Sequence, residues 1–223
     1  MTKRVSEQLE KFTAKNKDIH FTLGTVVVMG LSVIAMIIGT FILLKLPNSQ
    51  EFMTFLEAPD LFIKNKLYLN CSVEYIPQIP ILLFICIILG RKYTLITTII
   101  YILIGLFLIP IFSFGGGIKY VLQYNFGYIL AYIPAILSTT FFIKKERKIL
   151  TCLWAVLSTV FIIHVLGSVY LTLIAMVKND TFNLTWALIS QLTTGRILYD
   201  IILGYIAVML ARPTKNILWL AMG

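Results

Sequence analysis

Two ionisable residues, Arg196 and Asp200, interrupt an otherwise apolar run near the C-terminal end of the chain. Four residues apart on a helix, they share a face. Thr193 extends that face on one side, and Gly204, Ala207 and Ala211 extend it on the other as small residues that permit close helix packing. A guanidinium attracts a carboxylate, and an ionised carboxylate accepts hydrogen bonds from N–H donors. The pair therefore matches a small molecule with an anionic end and an end rich in N–H groups. The alternative is an internal Arg196–Asp200 ion pair that only neutralises itself, since charges at membrane depth usually pair with one another.

The other residues able to do chemistry point to less. Gly115-Gly116-Gly117 lacks the Gly-Lys-Ser/Thr that completes a P-loop. It reads as a tight helix–loop turn, or as a close backbone approach to a ligand. No Walker A motif occurs anywhere, so ATP hydrolysis by that route is excluded. His164 is the only histidine in an apolar run, and no second ligand has metal-binding spacing beside it, which favours a helix-packing donor. Cys71, Cys86 and Cys152 are odd in number and far apart, so neither a disulfide framework nor a zinc site is expected. No Ser–His–Asp or paired-carboxylate set can be assembled. The expectation is a binding protein with no catalytic residue, metal or cofactor. A membrane enzyme or assembly factor is the weaker alternative.

The elements that must position these residues are membrane helices. Of the 223 residues, 59% are hydrophobic and 13% charged, and the mean hydropathy is +0.90. Soluble domains have roughly 45–50% apolar and about 25% charged residues, so the excess here must face lipid. Runs long enough to cross a bilayer cover about 23–46, 76–90, 93–113, 125–143, 149–177 and 185–211. The fold class is therefore an all-α integral membrane protein with six transmembrane helices. Residues 1–22 form a polar N-terminal tail without the apolar core of a signal peptide, 23–211 the transmembrane domain, and 212–223 a C-terminal tail. On that reading thirteen Lys and Arg residues lie on one side and five on the other. The positive-inside rule then puts both termini in the cytoplasm. It also accounts for the net charge of +9 without a nucleic-acid partner. The first run carries Ser32, Ala35 and Gly39, a small-residue face for internal packing or for a partner helix. The outer loop 47–75 is too long for a simple turn and places Phe52, Phe55 and Leu56 at helical spacing. It is read as a surface connector or as a lid over an outward pocket.

Against that frame a family pattern becomes visible. Tyr75-Ile76-Pro77-Gln78-Ile79-Pro80, Leu89-Gly90-Arg91, Tyr101-Ile102-Leu103-Ile104-Gly105, Pro110-Ile111-Phe112, Gly115-Gly116-Gly117 and Phe126-Gly127-Tyr128-Ile129-Leu130 follow one another in the order and spacing of the BioY family. Gly167 and Tyr170 fit a weaker pattern further on, and Asp200 fits the family's acidic residue in the last helix. The chain departs from the pattern at Leu82 and Phe84, where many members have Thr and Gln, and at Leu203, where a Lys is usual. Leu198 and Tyr199 precede Asp200 in place of Pro-Gly; aligning Gly195 with that glycine would put Arg196 at the acidic position. The resemblance implies a biotin-binding S component in the plasma membrane, with six helices, an outward pocket and a gating first loop. It implies as partners a membrane coupling subunit and a pair of cytoplasmic ATPases. It nominates Asp200, Arg196, Tyr75, Tyr101, Tyr128 and Gly116 as ligand-site residues, with Tyr120 and Tyr199 as further aromatic walls. An S component or carrier for another vitamin is the alternative within transport.

Overall fold

The structure is a computed structural model that describes residues 22–47, 73–113, 115–145 and 149–222. Helix α1 (Leu23–Phe41) starts where the Thr22 hydroxyl accepts a hydrogen bond from the Thr25 N–H at 3.2 Å. Strand β1 (Leu44–Leu46) follows and pairs antiparallel with β2 (Val73–Tyr75), with Leu44 opposite Tyr75 and Leu46 opposite Val73. The possible lid helix around Phe52, Phe55 and Leu56 lies outside the described residues. The strand pair nevertheless fixes where both ends of that loop leave the bundle.

Helix α2 (Gln78–Leu103) opens after Pro77, with Pro80 in its first turn, where missing N–H donors go unmissed. It is not one rod. Gly90 has φ 73° and ψ −177°, a conformation essentially confined to glycine. The chain reverses there. Gln78 Nε2 lies 3.1 Å from the Tyr101 hydroxyl, although a straight helix would hold those residues about 35 Å apart. The two runs 76–90 and 93–113 of the sequence are thus the two arms of one helical hairpin.

A π turn (Ile104–Leu108) ends the second arm. A tight loop then pairs Phe112 with Gly115 and leads through a 3-10 turn (Ile118–Leu122) into α3 (Phe126–Leu130) and α4 (Tyr132–Lys145). Helix α5 (Ile149–Lys178) crosses back. Helix α6 (Phe182–Ile189) is capped by the Thr181 hydroxyl and passes through a π turn (Ser190–Thr194) into α7 (Gly195–Met222) with no break in right-handed backbone. The last element therefore begins earlier than residue 185 and stays helical beyond 211, with Pro213 inside it.

Helix α2 is the centre of the bundle, packed against α1, α4 and α7, while α5 packs on α3, α4 and α7. Leu82, Leu83, Tyr101, Phe112, Ile136 and Val156 are buried in the common core. The outside is apolar: Leu23, Phe107, Phe161, Val177 and Leu210 are among many large hydrophobic side chains left exposed. In water such a surface would aggregate; here it is the face presented to lipid. Among the described residues, five helical stretches are long and apolar enough to cross a membrane: Leu23–Phe41, Gln78–Leu108, Phe126–Ile143, Ile149–Lys178 and Phe182–Leu218. Hairpin α2 counts once in that list. The small-residue face of α1 is turned inward in part: Ser32 and Gly39 are buried, and a Cβ on Gly39 would meet Ile81 of α2. For Gly39 the internal-packing reading holds.

Candidate functional site

The site is built at the end of the bundle where β2, the start of α2, α3, α5 and the π turn before α7 converge. Asp200 is 2% exposed, and both its oxygens are engaged. The Tyr75 hydroxyl donates to Oδ1 at 2.8 Å, and His164 Nε2 lies 2.9 Å from Oδ2. Burial first, and the Asp200 charge second, push the Tyr75 phenol well above its ordinary pKa, so it stays protonated and remains a donor. An ionised carboxylate has about four acceptor positions, so Asp200 keeps capacity for further N–H donors after these two contacts. Arg196 forms no ion pair with it among the described residues. Its Nε is buried without a hydrogen-bond partner, as is His164 Nδ1. The self-neutralising Arg196–Asp200 pair is therefore not what the structure contains; Asp200 is held by two other elements and Arg196 is left to face the cavity.

Arg196, Asp200 and His164 line that cavity with Tyr120, Tyr128 and Tyr132. It has room for about 60 Å³, below the ~300–1,000 Å³ of small-molecule sites, so a ligand of that size needs its walls to part. Tyr128 is aimed by α5 and the π turn: its hydroxyl is 2.8 Å from Thr193 Oγ1, which is in turn 3.0 Å from Ser168 Oγ. A Cβ on Gly167 would collide with the Tyr128 ring, so that glycine makes room for it. Thr193, read from sequence as part of the polar face, thus serves as the anchor of an aromatic wall.

The other nominated residues stand behind the wall. Tyr101 is fully buried and does not line the cavity; its hydroxyl contacts Thr40 at 3.0 Å and Gln78 at 3.1 Å. Tyr75 likewise acts through Asp200. Tyr199 packs 6.0 Å from the Tyr75 ring and donates to the Pro47 carbonyl at 2.6 Å, tying α7 to the end of the β1 strand. Gly116 is a packing position: a Cβ there would lie 2.5 Å from Pro110 Cα and 2.7 Å from the Gly105 carbonyl. The glycine run is thus a close-packed turn, and backbone rather than ligand is what approaches it. Tyr120 does line the cavity.

Two residues take roles at the site that the sequence alone does not assign them. Gln78 is a polar hub, donating to Thr40 at 2.7 Å and to Tyr101 while its Oε1 accepts from Tyr132 at 2.6 Å. Its place in the first turn of a proline-started helix hid it among ordinary surface amides. His164 was read as a packing donor. It does bridge helices, but to the one carboxylate that matters, 36 residues away. Among the described residues no group of three His, Cys, Asp or Glu could hold a metal ion.

Comparison with known proteins bears on the fold and the family. The fold resembles that of the S-component for biotin from an ECF-type ABC transporter, solved at 2.1 Å, with a TM-score of 0.61 and 22% identity over 88% of this chain and 95% of that one. A curated relative, the probable biotin transporter BioY of Lysinibacillus sphaericus, is 37% identical over 93 residues. That match spans 42% of this chain and 46%, about half, of the relative. The BioY family model matches residues 63–219, which carry the whole hairpin, the glycine turn, His164, Arg196 and Asp200. The chain belongs to the BioY family.

Proposed function

We propose that this chain is the biotin-binding membrane subunit of an uptake system, delivering biotin with energy from a separate coupling subunit and ATPases. The observation that carries the proposal is Asp200, fixed between Tyr75 and His164 at a cavity wall that also presents Arg196. Biotin has a carboxylate, an apolar middle and a ureido ring with two N–H groups. Asp200 would accept from the ureido N–H groups, Arg196 would attract the carboxylate, and Tyr120, Tyr128 and Tyr132 would cover the apolar part. Gln78 spends its amide on Thr40, Tyr101 and Tyr132 and so acts as a positioning residue. Family membership supports transport over catalysis.

The same reading counts each arm of α2 as a separate pass, the first of them shorter than the hydrocarbon core is thick. That gives six, with both termini in the cytoplasm of a cell whose plasma membrane holds the protein. The excess of Lys and Arg on one side supports this orientation. Loop 47–75 would then lie outside, over the cavity mouth.

Direct binding of radiolabelled biotin to the purified chain tests the function. Saturable binding, competed by unlabelled biotin and weakened in Asp200→Asn, is expected. Absence of binding by a folded, monodisperse protein would refute it and turn attention to another vitamin-like ligand.

A further inference from the structure

Of the residues around the cavity, His164 has one ring nitrogen without a use. The side chain is 4% exposed, in the middle of α5. One edge of the ring is engaged, with Nε2 2.9 Å from Asp200 Oδ2. The Tyr128 ring stands edge-on to it at 6.0 Å. The other nitrogen, Nδ1, is buried with no hydrogen-bond partner. An ionised carboxylate only accepts, so the Asp200 contact puts the imidazole proton on Nε2. Nδ1 then carries a lone pair and needs a donor.

A buried polar atom left unpaired is rare and costly. His164 borders two spaces from which a donor could come. One is the cavity it shares with Asp200 and Arg196. The other is a groove on the lipid side between α5 and α7, walled by Trp154, Phe161, Val165, Ile197 and Ile201. Acyl chains filling that groove offer no N–H. The hydroxyls along it are engaged elsewhere: Ser158 donates to the Ala155 carbonyl at 3.0 Å, and Ser168, Thr193 and Tyr128 bond to one another. The cavity is the side that can supply a donor.

We propose that His164 is a second acceptor for the ligand: its Nδ1 takes one ureido N–H of biotin while Asp200 takes the other. The inference rests on the biotin reading above and adds a specificity rule to it. A site built around buried acceptors rejects an analogue that lacks the matching donor. With two acceptors on two helices, the site demands both N–H groups of the ligand. The walls part to admit it, and Nδ1 gains its partner in the filled cavity.

The test combines a ring replacement with ligand methylation. In His164→Gln the side-chain amide reaches the place of Nε2 and still donates to Asp200, but nothing stands in the place of Nδ1. Its melting temperature should stay close to that of the wild type, while biotin affinity falls about three- to tenfold, the worth of one neutral hydrogen bond. Biotin N-methylated at one ureido nitrogen should bind the wild type weakly and lose nothing further in His164→Gln, whereas the isomer methylated at the other nitrogen should still lose the full factor. Unchanged biotin affinity in the variant, or equal losses for biotin and both methyl isomers, would overturn the proposal and leave His164 as a positioning residue for Asp200. Should the variant fail to fold, a second readout decides. His20 and His164 are the two histidines of the chain, so His20→Gln leaves one ring to follow by nitrogen NMR. Its Nδ1 should resonate as an unprotonated nitrogen and shift when biotin is added. A protonated Nδ1, or no shift at saturating biotin, overturns the proposal. Wild-type protein that binds no biotin at all fails the biotin reading itself, and this inference with it.

Discussion

Tyr75→Phe removes one oxygen atom and isolates the contact that holds Asp200. The two groups are fully or almost fully buried and 2.8 Å apart. The phenyl ring keeps the shape of Tyr75 and its packing on Tyr199, so no large void forms. A hydrogen bond to a charged group contributes about 1.5–3 kcal/mol. At roughly 2–4 °C per kcal/mol for a chain of this size, the melting temperature in detergent should fall by about 3–12 °C. If the carboxylate is the partner, the same change in an Asp200→Asn background should cost much less, leaving a coupling energy of about 1 kcal/mol or more in the double-mutant cycle. Biotin affinity should fall less in Tyr75→Phe than in Asp200→Asn, because His164 still holds Oδ2 and the acceptor remains. The assay is thermal unfolding of the four proteins, with biotin titration of each. Equal losses in both backgrounds would refute the reasoning, since Tyr75 would then stabilise through its ring alone.

Asp200→Asn should weaken biotin by about ten- to a hundredfold, the worth of one charged hydrogen bond, measured by radioligand saturation. Arg196→Ala should weaken biotin more than biotin methyl ester, and combining it with Asp200→Asn should not rescue stability, because the two residues are not each other's partners. Gly167→Val, which drives a side chain into the Tyr128 ring, should lower affinity, whereas Gly30→Val, with open space around it, should leave it unchanged. Gly90→Ala forces an L-residue into a glycine-only conformation and should destabilise the hairpin by about 1–3 kcal/mol, read as a lowered melting temperature. Cysteines placed at 91 or 148 should be labelled from the cytoplasm and one at 47 from outside; the reverse pattern would overturn the orientation.

Membrane character and the bulk of the helices were legible because the lipid constraint acts on composition and run length, which are local. The polar face of Arg196 and Asp200 was legible for the same reason. What each of them touches was not. Tyr75 and Asp200 are 125 residues apart, and no periodicity announces a pair assembled from β2 and α7. The hairpin was half visible: the sequence separates the runs on either side of Gly90, but the reversal depends on a positive φ that only the fold displays. The role of Gly116 lay equally beyond reach, because a triple glycine fits a ligand cradle or a close-packed turn equally well until the Pro110 backbone is seen against it.

The arm of α2 before Gly90 runs from residue 78 to 89 and is about 18 Å long, well short of the ~30 Å hydrocarbon core. Alone it would be a poor stop for the cellular machinery that releases helices sideways into the bilayer. Paired with the arm after Gly90 it forms one unit whose backbone hydrogen bonds are closed within the helices. Its first turn carries Gln78, whose amide finds Tyr101 only once that second arm has come back to the same depth. The Gln78–Tyr101 contact is thus closed within the hairpin itself, whereas His164 and Asp200 are brought to the site by α5 and α7.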